Sequence, residues 1–545
     1  MPLHQPLSSF LRTRSLAALC VFAVAFALTP LAQSQDVLTY HNNIARTAFD
    51  NAETTLTLTN VNSATFGKLF IAPADGLVDA EPLYVSSVTV SGVVHNLLIV
   101  VTENDTVFAY DADTAGSSLW QTSTLLPGES PSDDHGCSQI TPKIGITATP
   151  VITHPKKGDP VIYVVAMSKD TSGNYYQRLH ALDATSGAEL YGGPVTIAAT
   201  YPGTGDGSSG GVVIFDPSQY AERSGLLLTG GTVYLAFTSH CDARPYTGWV
   251  MGYNATTLAQ TTVLNLTPNA NEGAIWGAGA GMSSDGKGNI FLLDANGVFD
   301  STLNASGFPS EGDYGNAFLR LTTSGGTLAV ADYFEMYNGI MESDDDTDLG
   351  SGGSLLTSQK NSAGKVLELA IGAGKDSNLY VVNRANMGKF NSASNHIYQE
   401  LTGALPGGIW STPAATGSSV YYGPVGSPIR EFQFKNAKLI ATPVAETANS
   451  FGYPGASPSI SADAGANTIV WASENTNPAV LHAYNAATLV ELYNTNQAAN
   501  GRDQFGAGNK FITPMIASGR VYVGTTTGVG VFGLLPAPTK NQEKK

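Results

Sequence analysis

Charge is scarce in this chain, and what charge there is has mostly one sign. Only 13% of residues are charged, with 27 Lys and Arg against 44 Asp and Glu, a net charge of −17. A surface this acidic repels phosphate backbones, so the charge argues against nucleic acid as a partner. Cysteine is nearly absent, with only Cys20, Cys137 and Cys241. The chain has no Cys-x-x-Cys and no His-rich spacing, so structural zinc and haem are not indicated. His-Glu-x-x-His and the P-loop are missing. The Gly-rich stretch 203–211 opens no helix, so it reads neither as a nucleophile elbow nor as a nucleotide loop.

Long apolar runs are confined to the start. Arg12 and Arg14 precede an apolar run from Leu16 to Leu28, Pro30 breaks it, and Ala32-Gln-Ser34 follows. This is the layout of a cleaved signal peptide over 1–34. The run is short and Ala-rich for a membrane anchor. Leu19 before Cys20 argues against a lipid anchor, and the separated arginines argue against a twin-arginine signal. No later stretch is long enough to span a bilayer. The expected destination is the periplasm or the exterior. There Cys137 and Cys241 read as a disulfide, the alternative being two buried, unlinked thiols. Composition is even from 35 to 536, which reads as one domain, with a disordered charged tail over 537–545.

What the chain does have is glycine (59 residues), tyrosine (23 residues) and a repeated phrase. Val107-Phe-Ala-Tyr-Asp-Ala-Asp-Thr-Ala-Gly116 leads to Trp120, and Leu179-His-Ala-Leu-Asp-Ala-Thr-Ser-Gly187 leads to Tyr191. Val250-Met-Gly-Tyr-Asn-Ala-Thr-Thr257 and Leu481-His-Ala-Tyr-Asn-Ala-Ala-Thr488 repeat the pattern. Each is an alternating strand, then Asp or Asn whose side chain can bond the amides of a tight turn. Weaker copies begin at Phe318, Leu379 and Ile429, and a further strand pair precedes each copy. Four short strands per unit, at a period near sixty residues, predict an all-β propeller with four-stranded antiparallel blades. The count is eight blades, with seven as the alternative. The final unit lacks its outer strand, and Phe66-Gly-Lys-Leu-Phe-Ile-Ala72 is expected to supply it and close the ring.

The phrase Ala-Tyr-Asp-Ala-x-Thr-x-Gly followed by Leu-Trp resembles the pyrroloquinoline-quinone (PQQ) propeller repeat of the quinoprotein alcohol dehydrogenase-like superfamily. Six further segments resemble an exported bacterial branch of it: Tyr40-His-Asn-Asn-Ile-Ala-Arg-Thr47, Gly145-Ile-Thr-Ala-Thr-Pro-Val151, Ser239-His-Cys-Asp-Ala-Arg-Pro-Tyr246, Gly372-Ala-Gly-Lys-Asp376, Val382-Asn-Arg-Ala-Asn-Met-Gly388 and Gly506-Ala-Gly-Asn-Lys510. The resemblance implies the fold, and PQQ with Ca2+ as possible cofactors. It implies no catalytic residue here. The adjacent cysteines of those enzymes are absent, their metal ligands are not recognisable, and only Trp120 keeps a blade-docking tryptophan.

Two residue sets are candidate sites. Asp344, Asp346 and Asp348 alternate before a Gly-rich turn, a spacing that can gather oxygens around Ca2+, although the closing bidentate Glu is missing. The bland alternative is a solvated acidic loop. His135, His240, Asp242, Arg244, Lys375, Asp376, Arg384 and Lys510 lie in segments between strands, where propellers build ligand sites. Their bland alternative is a set of struts that brace loops. The expected function is a non-catalytic binding or scaffold module, monomeric, with a protein, glycan or small molecule as partner. The alternatives are a PQQ-dependent dehydrogenase with the cofactor in the channel, and a carbohydrate hydrolase or lyase using channel carboxylates.

Overall fold

The structure is a computed structural model that describes residues 36–155 and 158–537. The expected leader and almost all of the expected tail lie outside the described residues. The architecture is all-β. Among the described residues the only α-helix is the six-residue Gly339–Asp344, beside a few 3-10 turns.

Eight of its sheets carry the same four-strand antiparallel meander. Their first strands are Leu83–Val90, Val151–Thr153, Leu227–Thr229, Ser283–Ser284, Leu355–Lys360, Ala414–Thr416, Ser459–Asp463 and Met515–Ala517. The repeated phrase is the third strand of its sheet each time, at Thr106–Asp111, Tyr175–Asp183, Trp249–Asn254 and Val480–Asn485. Its Asp or Asn holds the following turn as expected. Asp111 accepts from the Asp113 amide at 2.8 Å, Asp183 from Thr185 at 2.7 Å, Asn254 from Thr256 at 2.9 Å and Asn485 from Ala487 at 2.9 Å.

Strand alternation lets each sheet pack on both neighbours. In the seventh sheet, Ile469 and Trp471 join residues of the eighth such as Val521 and Val523. Val470 and Ala472 instead join Tyr421 of the sixth. Similar apolar clusters join every consecutive pair of sheets, and Tyr522, Val529 and Val531 of the eighth pack with Tyr84 and Leu98 of the first. Trp120 adds a directional contact, its indole N–H donating to Ala184 O of the next sheet at 2.9 Å.

The eighth sheet takes its fourth strand from the start of the chain. Phe66–Pro73 pairs antiparallel with Gly528–Leu534, from Phe66 opposite Leu534 to Pro73 opposite Gly528. Phe66 anchors the join against Tyr493 (ring centroids 5.0 Å), Trp471 (5.4 Å) and Phe532 (6.4 Å).

Residues 37–53, which include the Tyr40–Thr47 segment, form a belt along the first strands that is buried or half-buried except at Asn51 and Ala52. Val37 pairs with Tyr84 of the first sheet, and Leu38 O accepts from Ile152 of the second. Arg46 donates to Leu226 O and Met282 O at the entries of the third and fourth. Ala45, Thr47 and Ala48 carbonyls accept from Leu356, Ala415 and Ile460 of the fifth, sixth and seventh. The Gly519 amide of the eighth donates to Glu53 at 2.7 Å. Val37, His41, Arg46 and Ala48 are fully buried.

Candidate functional site

Strand polarity decides which loops meet. The start of each first strand and the end of each second strand lie on one face, because neighbouring strands run antiparallel. Connections that end at a first strand, and those that follow a second strand, therefore converge on that face. They line a cavity of about 240 Å³. Arg223, Trp276, Asp346, Asp348, Trp410, Tyr453 and Phe511 come from the former, and His240, Asn296 and Lys375 from the latter.

One wall is covalently fixed. Cys137 and Cys241 are bonded across 104 residues, with Cα atoms 5.7 Å apart. The bridge ties the insertion before the second sheet to the 239–247 loop of the third, and both cysteines line the cavity. Beside it the rings of His135 and His240 stack at 4.0 Å. His240 Nε2 is buried without a hydrogen-bond partner. Burial, helped by His135, pushes the His240 pKa down to about 4, so the ring is neutral at pH 7.

Another part of the lining is ionic. Lys375 Nζ lies 2.6 Å from Asp348 and 2.5 Å from Asp346. Burial opposes the Lys375 charge, but the two carboxylates outweigh it and hold its pKa above the ordinary lysine value. Burial raises Asp348 to about 6 against the pull of Lys375. The Trp276 indole N–H donates to Asp348 at 3.2 Å, and Asn296 donates to Asp346 at 2.8 Å. Trp276, Phe511, Tyr453 and Trp410 run along the remaining side, with successive ring centroids 6.1, 6.4 and 6.2 Å apart.

The structure divides the expected site residues. His240, Asp242, Lys375, Asp346 and Asp348 line the cavity. His135 backs His240, and Lys510 is not among the lining residues but donates to Gln139, which is, at 3.3 Å. Arg244 points away as a strut, paired with Asp206 at 2.7 and 2.9 Å. Asp376 holds its own turn, accepting from Tyr380 OH at 2.5 Å and from the Asn378 amide at 3.1 Å. Arg384 follows a third strand, so it emerges on the opposite face and pairs with Glu368. Asp344 ends the short helix apart from Lys375. The expected Ca2+ loop does not gather its oxygens. Among the described residues no group of three or more His, Cys, Asp or Glu is placed to hold a metal ion, and an ammonium stands between Asp346 and Asp348.

Sequence reasoning missed Arg223, Trp276, Trp410, Tyr453 and Phe511. The available signal was their position a few residues before a first strand.

No family model and no curated protein sequence matches the chain. Solved structures do. A quinohemoprotein alcohol dehydrogenase from Comamonas testosteroni aligns with a TM-score of 0.59 and 14% identity, over 93% of this chain and 82% of that one. The fold is a β-propeller. A second quinohemoprotein alcohol dehydrogenase, from Pseudomonas putida, aligns over the same shares at 0.59 and 13%. A europium-containing methanol dehydrogenase aligns at 0.59 and 13%, over 92% of this chain and 98% of that one. At such identities the propeller carries over and the chemistry does not.

Proposed function

We propose that the protein is an exported, eight-bladed propeller that binds a small molecule at one mouth of its channel and is not itself a catalyst. The observation that carries this reading is the cavity itself. It is concave, aromatic on one side and polar on the other, and one wall is fixed by a disulfide. Concave sites with apolar walls and a few convergent polar groups are the usual form of small-ligand pockets. The belt favours a single entrance, since it packs along the first strands of all eight sheets. Export is supported by the leader pattern and by the disulfide, which persists in oxidising compartments. The eight meanders and the packing of the eighth sheet on the first support the blade count.

Trp276 and Trp410 give the test. Titration with small aromatic probes such as benzamide is expected to perturb tryptophan emission in the intact protein. Trp276→Phe and Trp410→Phe are expected to reduce that response. Absence of any response, with no shift in thermal midpoint, removes the pocket reading.

A quinone-dependent dehydrogenase is the second reading, favoured by the fold of the aligned structures. The residues fit it only in part. A disulfide and an indole stand in the cavity wall, but the described carboxylates form no metal cradle and Lys375 is paired with both Asp346 and Asp348. No catalytic step is derived through such a cofactor. Mixing the protein with PQQ, with and without Ca2+, alongside a dye-linked alcohol oxidation assay, separates the readings. Stoichiometric PQQ binding with turnover replaces the first by the second.

A further inference from the structure

Buried arginines in this fold are partnered, with one exception among the described residues. Arg46 donates to Met282 O, Thr39 Oγ1, Tyr40 O and Leu226 O. Arg178 is bidentate with Glu129, both bonds at 2.7 Å. Arg223 is only 5% exposed and lines the cavity, yet its Nη2 has no hydrogen-bond partner, and the described residues give it no ion pair. Its guanidinium lies over the Phe511 ring, 4.7 Å from the centroid.

A second cation stands next to it. Burial and then the nearby Arg223 depress the pKa of Lys510, the residue before Phe511. Asp79 is the carboxylate that acts on Lys510, and its charge also acts on the buried Glu103. An arginine keeps its charge at any ordinary pH, so a buried one without a counter-charge is costly. Asp346 and Asp348 share Lys375, Asp242 accepts from the Ser239 and Tyr246 hydroxyls, and none of these three lining carboxylates forms an ion pair with Arg223. The positive charge on the Arg223 side is thus left for a ligand to answer.

The walls limit what that ligand looks like. Phe511 lies 6.1 Å from Trp276 and 6.4 Å from Tyr453, centroid to centroid, and meets both edge-on. Rings arranged in this way accept a flat body against a face or an edge. A guanidinium fork matches a carboxylate in two parallel bonds. We propose that the cavity binds an aromatic carboxylate, its charge on Arg223 with Lys510 beside it, and its ring against Phe511, Trp276 and Tyr453. The proposal rests on the reading of the cavity as a small-molecule site, and adds the charge of the ligand and its anchor.

Calorimetric titration of the full chain with benzoate and with benzamide, its uncharged isostere, tests this. Benzoate is expected to bind about tenfold more tightly, the difference made by a charge-assisted pair of hydrogen bonds. Arg223→Met is expected to erase that preference while leaving benzamide affinity within about twofold. Arg223→Lys is expected to keep part of the preference, and it serves if the Met variant does not fold. Equal affinities in the unmodified protein, or a preference undiminished in Arg223→Met, overturn the anion anchor and leave the pocket standing. Binding of neither compound overturns the pocket as well. Tighter binding of inorganic phosphate than of benzoate overturns the aromatic part.

Discussion

Lys375 Nζ lies 2.6 Å from the carboxylate of Asp348, whose side chain is 1% exposed. The pair fills the place where the sequence suggested a cation, and it ties the loop before the fifth sheet to the end of that sheet's second strand. Removing one partner strands a buried charge. Lys375→Met is expected to lower unfolding free energy by about 3 kcal/mol. The double change Lys375→Met with Asp348→Leu is expected to recover most of that loss. Urea denaturation of the three proteins decides it, and a single variant as stable as the parent refutes the coupling.

Glu81 gives a pH prediction. It accepts the His41 amide of the belt at 2.8 Å, and the charges of Arg46 and Tyr40 also act on it. Burial raises its pKa to about 8 despite Arg46. The folded protein therefore holds a proton that the unfolded chain releases above its ordinary carboxyl pKa. This group's contribution is complete at low pH and is lost as pH rises toward 8, with a slope of at most about 1.4 kcal/mol per pH unit. Glu81→Gln keeps an oxygen for the His41 amide and removes the titration. Between pH 5 and pH 8.5 its stability is expected to fall less steeply than that of the parent. Identical slopes mean that Glu81 stays ionised beside Arg46.

The bridge between Cys137 and Cys241 closes a long loop. Replacing both by Ser is expected to lower stability by about 4 to 5 kcal/mol, the loop-entropy value for a span of this size. Loss of the tether also frees the wall that carries His240, so affinity for benzamide is expected to fall in the same variant. Mass spectrometry of the non-reduced digest is expected to show the two peptides linked.

Phe66 tests the closure of the eighth sheet. Its ring sits fully buried among Trp471, Tyr493 and Phe532. Phe66→Ala is expected to cost about 3 to 5 kcal/mol. Removal of the residues before Ala74 bares the edge of Gly528–Leu534, and light scattering is expected to show association through it. A truncated chain that stays monomeric and folded contradicts the pairing.

The sheets were legible because their signal is local. Alternation and an Asp or Asn at a turn recur within about ten residues, so Val107–Asp111 and Leu481–Asn485 announce the same strand. The outer strand of the last sheet was legible by elimination, since Phe66–Ala72 had no neighbour in sequence. The site was only half legible. His240 and Lys375 stood in recognisable segments, but Arg223, Trp276 and Phe511 meet only through the ring, far apart along the chain. Arg384 misled because its segment resembles the others while its strand runs the other way. Counting strand direction within each unit would have set it aside. The Asp344–Asp348 run misled for another reason, since nothing in its spacing reveals that Lys375 arrives between two of its carboxylates.

The belt has a consequence for how the molecule is made. Its partners begin at Tyr84 and end at Gly519, so residues 37–53 must wait for residues more than 400 positions later before their bonds are complete. Contacts of that sequence separation form late. Circular permutants with new ends in the 416–419 turn, and the old ends joined, would bring belt and final sheet together early and should refold faster than the natural order of the chain.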